Sequence, residues 1–376
     1  MKLLSTIKLF FICFAGICIL FSCRKAYEPD VSKVNYKYLV VDGVINTGAN
    51  PTDIRISRTW PVGSDTTDTP ETNAFVRVED QNSNTTFLYE NQPGVYHQAT
   101  GNFSNQVSYR LHINTSDGQE YVSDYVKGIA TPAIDSVNWS RKEDGVHIYV
   151  STHDPLSAAN YYRWDFEETW EYKSFYQSTV KYVNGVFVGR TPAEDVFTCW
   201  HSLASTEILL GSSTGLSNTI IYEKPITFIP IATERIGLRY SILVKQYAMD
   251  QAAYQYFEQL KKNSEQLGTI FGNEPSKLTG NIHNVSNPNE PVLGFLSAGD
   301  MQQNRIFISN DQVPLWGYEK TGCEVLVVTP DKFESVFGHG GYLPISQHGL
   351  VDYTGASNTC VDCTLAGGTN VKPNFW

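Results

Sequence analysis

Cys23 ends the run Leu20-Phe21-Ser22-Cys23 behind a short apolar leader, and a thiol so placed is a target for lipid attachment. Lys2 and Lys8 make the start positive, and the apolar stretch 9–21 is too short for a permanent membrane helix. The small Ser22 directly before the cysteine completes the order of a bacterial lipoprotein signal. Residues 1–22 are accordingly expected to be a signal peptide, cut so that Cys23 becomes the first residue and carries acyl chains. Each buried methylene contributes about 0.8 kcal/mol, so two or more chains hold a protein to a membrane in effect permanently. Residues 23–35 are polar, with Pro29, and read as a tether between lipid and folded body.

The other thiols suggest structure instead of chemistry. Cys13 and Cys18 leave with the leader, which leaves Cys199, Cys323, Cys360 and Cys363. An even number in an oxidising compartment predicts two disulfides. Cys360 and Cys363 form a C-x-x-C pair, the spacing of a redox motif or of half a zinc site. No second such pair exists, and this one lies in a glycine-rich tail, away from a helix start. The preferred pairing splits it, one thiol to Cys199 and the other to Cys323. A local Cys360–Cys363 bridge with Cys199–Cys323 is the alternative.

The remaining candidates are weaker still. The eight histidines are dispersed, and H-E-x-x-H, G-x-S-x-G and the P-loop are all missing. His339 and His348 share a glycine-rich segment, but their spacing matches no common metal site. Asp80, Asn82 and Asn84 imitate the start of a calcium loop without its glycine and distal glutamate, so a hairpin turn is expected. Glu167-Glu168 and Glu194-Asp195 could serve glycoside hydrolysis only across a cleft, and adjacent residues on a strand point to opposite faces. No metal, cofactor or catalytic residue is expected. Removing a leader with two lysines and no acid takes the net charge from −11 to −13. Phosphate backbones reward clustered cations, so nucleic acid is excluded as a partner.

The elements that would position any site are strands. Abundant Tyr, Phe and Trp among Thr and Val favour sheet over helix. Short strands are expected at 38–45, 52–58, 74–79, 85–89, 107–113 and 120–126, with turns at 80–84, 93–94 and 117–118. That rhythm predicts a first β-sandwich over 36–132. A hairpin of 135–141 and 146–152 opens a second β-rich domain over 133–376. Both domains are expected to be immunoglobulin/fibronectin-like. In the segment after Asn160, Tyr162, Trp164, Phe166, Glu168, Trp170 and Tyr172 fall on one face, read as a core face over a sugar platform. Tyr161, Arg163, Asp165, Glu167, Thr169 and Glu171 fall on the other. A strand at 238–248 leads into one helix, 250–267, packed on the second domain. Asp250 is its N-cap, Ala253, Tyr256, Phe257, Leu260 and Leu267 its apolar face, and Gly268 its stop. Strands return at 292–297, 305–309 and 324–329, and the tail from Phe337 reads as irregular.

Several of these features combine. The leader, the strand Tyr38-Leu39-Val40-Val41-Asp42-Gly43, the ending Cys360-Val361-Asp362-Cys363-Thr364 and the closing Lys372-Pro373-Asn374-Phe375-Trp376 resemble the domain of unknown function 4249 family of outer-membrane lipoproteins. The resemblance implies a β-rich lipoprotein, commonly encoded beside TonB-dependent receptors, with no established enzyme activity and no catalytic residues to carry over. The expectation is a non-enzymatic protein lipid-anchored through Cys23 at the surface of the outer membrane. There it would assist a TonB-dependent receptor in ligand capture or nutrient uptake. Its acidity suits cations, metal chelates or neutral glycans better than polyanions. Two alternatives stand beside this: a surface structural or adhesive protein, and a hydrolase whose site carries no motif.

Overall fold

The alternation in Thr52-Asp53-Ile54-Arg55-Ile56 does bury every second side chain, but the sheet it belongs to closes on itself. The computed structural model describes residues 37–376 except 61–68, 100–102, 157, 216–218, 266–277, 314–317 and 319–320. The leader, Cys23, the tether, Leu267 and Gly268 lie outside the described residues. The first strands are β1 (Leu39–Asn46), β2 (Thr52–Arg58), β3 (Phe75–Asp80), β4 (Thr85–Gln92), β5 (Val95–Gln98), β6 (Ser108–Asn114), β7 (Glu120–Ser123) and β8 (Val126–Ile129). Next come β9 (Ile134–Arg141), β10 (Gly145–His153), β11 (Tyr161–Lys173), β12 (Val180–Val183), β13 (Val186–Gly189), β14 (Thr198–Ala204), β15 (Leu209–Ser212), β16 (Ile220–Pro230) and β17 (Arg239–Met249). Helix α1 (Gln251–Glu265) precedes β18 (Ile282–Asn284), β19 (Ser297–Gly299), β20 (Met301–Ser309), β21 (Leu326–Val328), β22 (Tyr342–His348) and β23 (Asp352–Ser357).

The first module is an eight-stranded barrel in the order β6-β3-β4-β5-β2-β1-β19-β8, closed where Ser108 and Tyr109 of β6 pair with Lys127 and Val126 of β8. This corrects the expected first sandwich. Closure removes the sheet edges that an open sandwich leaves unpaired. It also corrects the boundary near residue 132, because β19 comes from beyond the second module and pairs in parallel with both β1 and β8. Ile282, Val292, Leu296 and Ala298 of this returning segment share the barrel core with Leu39, Ile45, Ile54, Ile56, Leu111 and Ile113.

The second module sets the three-stranded sheet β16-β10-β9 against β14-β11-β17-β20, with β15 also paired to β11. Tyr162, Trp164, Phe166, Trp170 and Tyr172 of β11 are buried between them with Ile148, Tyr240, Ile242 and Val244, so the aromatic face is core. The buried Glu168 on that face is satisfied: Tyr240 donates its hydroxyl to Glu168 Oε1 at 2.6 Å and Arg235 lies 3.2 Å from Oε2. The chain is mainly β, as expected.

Helix α1 starts where its cap was placed, with the Ala253 amide donating to Asp250 Oδ1 at 2.7 Å. It packs on Leu210 and Met249 of the second module, but also on Phe295 of the returning segment, whose neighbour Gly294 donates its amide to the Tyr256 hydroxyl. The helix therefore bridges the two modules.

The tail from Phe337 is ordered, which corrects the irregular reading. Its strands β22 and β23 join the preceding β21 in the sheet β21-β23-β22 beside the β12–β13 hairpin, with Phe187 stacked on Tyr353 at 3.5 Å. The last residues then run back over the second module, where Trp200 pairs with Thr369 and the Trp376 indole donates to Glu171 at 3.1 Å.

Candidate functional site

The outer face of β11, opposite the core aromatics, carries the polar residues that alternation turns outward. The ladder sets them in rows across three strands. Arg163 stands opposite Tyr247, which stands opposite Met301; Asp165 opposite Lys245, opposite Gln303; Glu167 opposite Leu243, opposite Arg305. This face looks across a cleft of about 580 Å³ at the barrel, where β1 and β2 present Asp42, Val44, Asp53 and Arg55.

Backbone geometry shapes the barrel wall. Gly43, beside Asp42, has φ +153°, and a Cβ there would lie 2.6 Å from the Asp53 carbonyl oxygen, so only glycine permits this approach of β1 to β2. At one end Asn50 reaches across, its amide 3.4 Å from the Met301 carbonyl. Beyond it the two chain crossings between modules are tied together. Asp300 Oδ1 accepts from the Thr131 amide at 2.6 Å, and the Thr131 hydroxyl donates back to the Asp300 carbonyl. Gln246, fully buried, donates to the Pro132 carbonyl at 2.8 Å and accepts from the Trp164 indole. The walls are therefore held by satisfied buried polar groups, which fix one geometry.

The electrostatics centre on Arg163. Its guanidinium carbon lies 5.2 Å from the Tyr247 ring and 4.7 Å from the Phe257 ring, and Nη2 donates to Asp165 at 3.1 Å. Burial pulls its pKa down, but Asp165 and Asp42 outweigh that and hold it above its ordinary value. Burial, and then Asp165, push the Tyr247 phenol well above its usual range, so it stays a neutral donor, 3.2 Å from the Met301 sulfur. Lys245 leans toward Glu167 at 3.7 Å, and Asp53 holds His97 at 2.8 Å. Three acids and three bases thus line one cleft together with Asn50, Asn91, Gln92 and Gln303. Such a lining can hydrogen-bond and ion-pair with a small ligand.

The residues singled out by sequence fall elsewhere. Cys199 pairs with Cys363 and Cys323 with Cys360, the split arrangement, each with Cα atoms 5.9 Å apart. The first bridge is inside the second module's core and the second under the C-terminal sheet. Asp80 accepts from the amides of Asn82 and Asn84 at 2.8 Å, which makes that motif a hairpin turn. Glu167 and Glu168 do point to opposite sides of β11. Glu194 binds Lys181, which first of all draws its pKa down to about 2. His339 is exposed and 3.4 Å from Glu334, and no metal-binding group of three or more His, Cys, Asp or Glu exists among the described residues. Sequence reasoning did not assemble the cleft. Its two traces in the sequence are the charged outward set on β11 and Asp42 within the apolar start of β1.

No helix among the described residues is long and apolar enough to cross a membrane. No curated protein matches the chain. The model of the family described as a domain of unknown function (DUF4249) matches residues 24–305, which include both walls of the cleft, and the chain belongs to that family.

Proposed function

We propose that this protein is a non-enzymatic lipoprotein of the outer membrane, anchored through Cys23 at the cell surface. In this reading it captures a ligand in the cleft between barrel and sheet for a TonB-dependent receptor. The observation that carries the reading is the cleft itself, a rigid-walled space whose lining offers ion pairs and amides. Its volume lies within the roughly 300–1,000 Å³ typical of small-molecule sites. Among the described residues, no serine, cysteine or histidine lines the cleft to act as nucleophile or imidazole base.

The anchor is tested by palmitate labelling with and without globomycin; an unlabelled, freely secreted protein removes it. The partnership is tested by affinity purification from membranes with mass spectrometry of what comes along. Deletion of the gene should lower uptake of the co-purifying receptor's ligand. Normal uptake with no receptor recovered defeats the reading.

A hydrolase remains the second reading because Asp42, Asp53 and Asp165 share the cleft. Against it, Asp165 is tied to Arg163 and Asp53 to His97. Turnover of chromogenic glycosides that vanishes in Asp42→Asn would favour it.

A further inference from the structure

The cleft holds two opposite charges that act on each other through space but make no direct ion pair among the described residues. Asp42 is exposed on β1, and its side chain makes neither ion pair nor hydrogen bond with any described residue, although it stands opposite Arg55 in the ladder. Arg163 on the facing wall makes one side-chain hydrogen bond among the described residues, to Asp165, and its Nε is buried without a partner. A planar guanidinium held between two aromatic rings, with most of its five donors unused, is preorganised for a carboxylate. A carboxylate on the facing wall with no hydrogen bond or ion pair among the described residues is the complementary feature for an ammonium group.

The other chemistries fit less well. A polyanion would meet Asp42, Asp53 and Asp165 together. A bare metal ion lacks a ligand cluster among the described residues. A neutral glycan wants an open aromatic platform, and the one aromatic ring lining the cleft among the described residues, Tyr247, already has Arg163 over it. The amides of Asn50, Asn91, Gln92 and Gln303 each offer a donor and an acceptor, the pattern a peptide group presents in return.

Resting on the ligand-capture reading above, we infer that the cleft is built for a zwitterion, a short peptide or a free amino acid, with Arg163 taking its carboxylate and Asp42 its ammonium. This differs from the cations and neutral glycans suggested by net charge alone, because local complementarity outweighs the sum over a whole chain.

The test is equilibrium dialysis of the purified mature protein, disulfides intact, against four pools read by mass spectrometry. The pools are random tripeptides with free termini, the same pool N-acetylated, the same pool C-amidated, and maltohexaose with mixed free amino acids. The expected result is retention of free-ended peptides, with each cap lowering it at least tenfold. Arg163→Gln should abolish discrimination against the amidated pool only, and Asp42→Asn discrimination against the acetylated pool only. Because Asp42 is exposed, its variant should fold as the parent does, and loss of one preference is not a symptom of unfolding. Retention of amino acids in place of tripeptides supports the zwitterion and identifies the free form as its source. Equal retention of capped and free pools, or retention of maltohexaose alone, overturns the inference. No retention of any pool by a protein that still co-purifies with a receptor overturns the inference and leaves the capture reading standing. Cap-sensitive binding without a receptor does the reverse.

Discussion

The barrel and the C-terminal sheet are both built mostly from short antiparallel strands, yet they are held by different forces. The barrel encloses a long series of inaccessible side chains, Leu39, Ile45, Ile54, Ile56 and Ile113 among them, and neither disulfide found among the described residues touches it. The C-terminal sheet buries a short set, Ala356, Cys360 and Val361 with Val328 and Phe337, while Leu326, Val327, Leu350 and Val351 are exposed. A core that small does not offset the entropy of ordering its strands, and a covalent link supplies the difference. This chain relies on burial in the barrel and on sulfur beneath its C-terminal sheet.

The largest expected effect is loss of the bridge with the longer span. Cys199→Ala with Cys363→Ala opens a link between residues 164 apart, worth about 5 kcal/mol in the chain-entropy account. Urea unfolding should show the second module destabilised and the tail newly open to protease. Removing Cys323 and Cys360, 37 apart, should cost about 3–4 kcal/mol and melt the C-terminal sheet in its own step. Amide exchange is the measure: if barrel amides lose protection to the same degree, the proposed division of forces is wrong.

Within the barrel, Ile54→Ala should cost about 3 kcal/mol in the main urea transition, since the site is fully buried. Leu343→Ala, half-buried in the C-terminal cluster, should cost about a third of that. Comparable losses would erase the contrast. At the crossing between modules, Asp300→Ala leaves the Thr131 amide without its acceptor and should cost about 1–2 kcal/mol. It should also weaken ligand binding in the cleft without altering the barrel's exchange pattern.

The smallest effect is set by pH. His112 on the barrel is held neutral: burial first, then Arg77 and Arg110, depress its pKa below the ordinary 6.5 despite Glu79 at 2.8 Å. Its Nδ1 lies 3.2 Å from Arg77, which suits a lone pair and not a proton. Because the folded pKa lies below the unfolded one, the unfolded chain binds the extra proton as pH falls through 6.5. Stability should therefore be fully present above that value and decline below it. Urea midpoints at pH 7.5 and 5.5 measure the decline, and His112→Gln should flatten it.

Much of the local structure was legible. Alternation placed the strands 52–58 and 161–173 and chose the core face of the latter, because a pleated strand has only two sides. Asp250 marked the helix start because few side chains can satisfy its orphan amides. The tail misled, since its glycines hid the strands β22 and β23, which pair in a ladder flanked by the Cys323–Cys360 bridge.

By itself the sequence determined the period of each strand, the place of the helix and an even set of thiols for two bridges. These are properties of neighbours along the chain, written in alternation and caps. Only the tertiary structure decided that Ser297–Gly299 would close the barrel and that Asp42 would face Arg163. Parallel pairing between distant segments leaves no local period, and a charged residue looks the same in sequence whether it meets water or the opposite wall of a cleft.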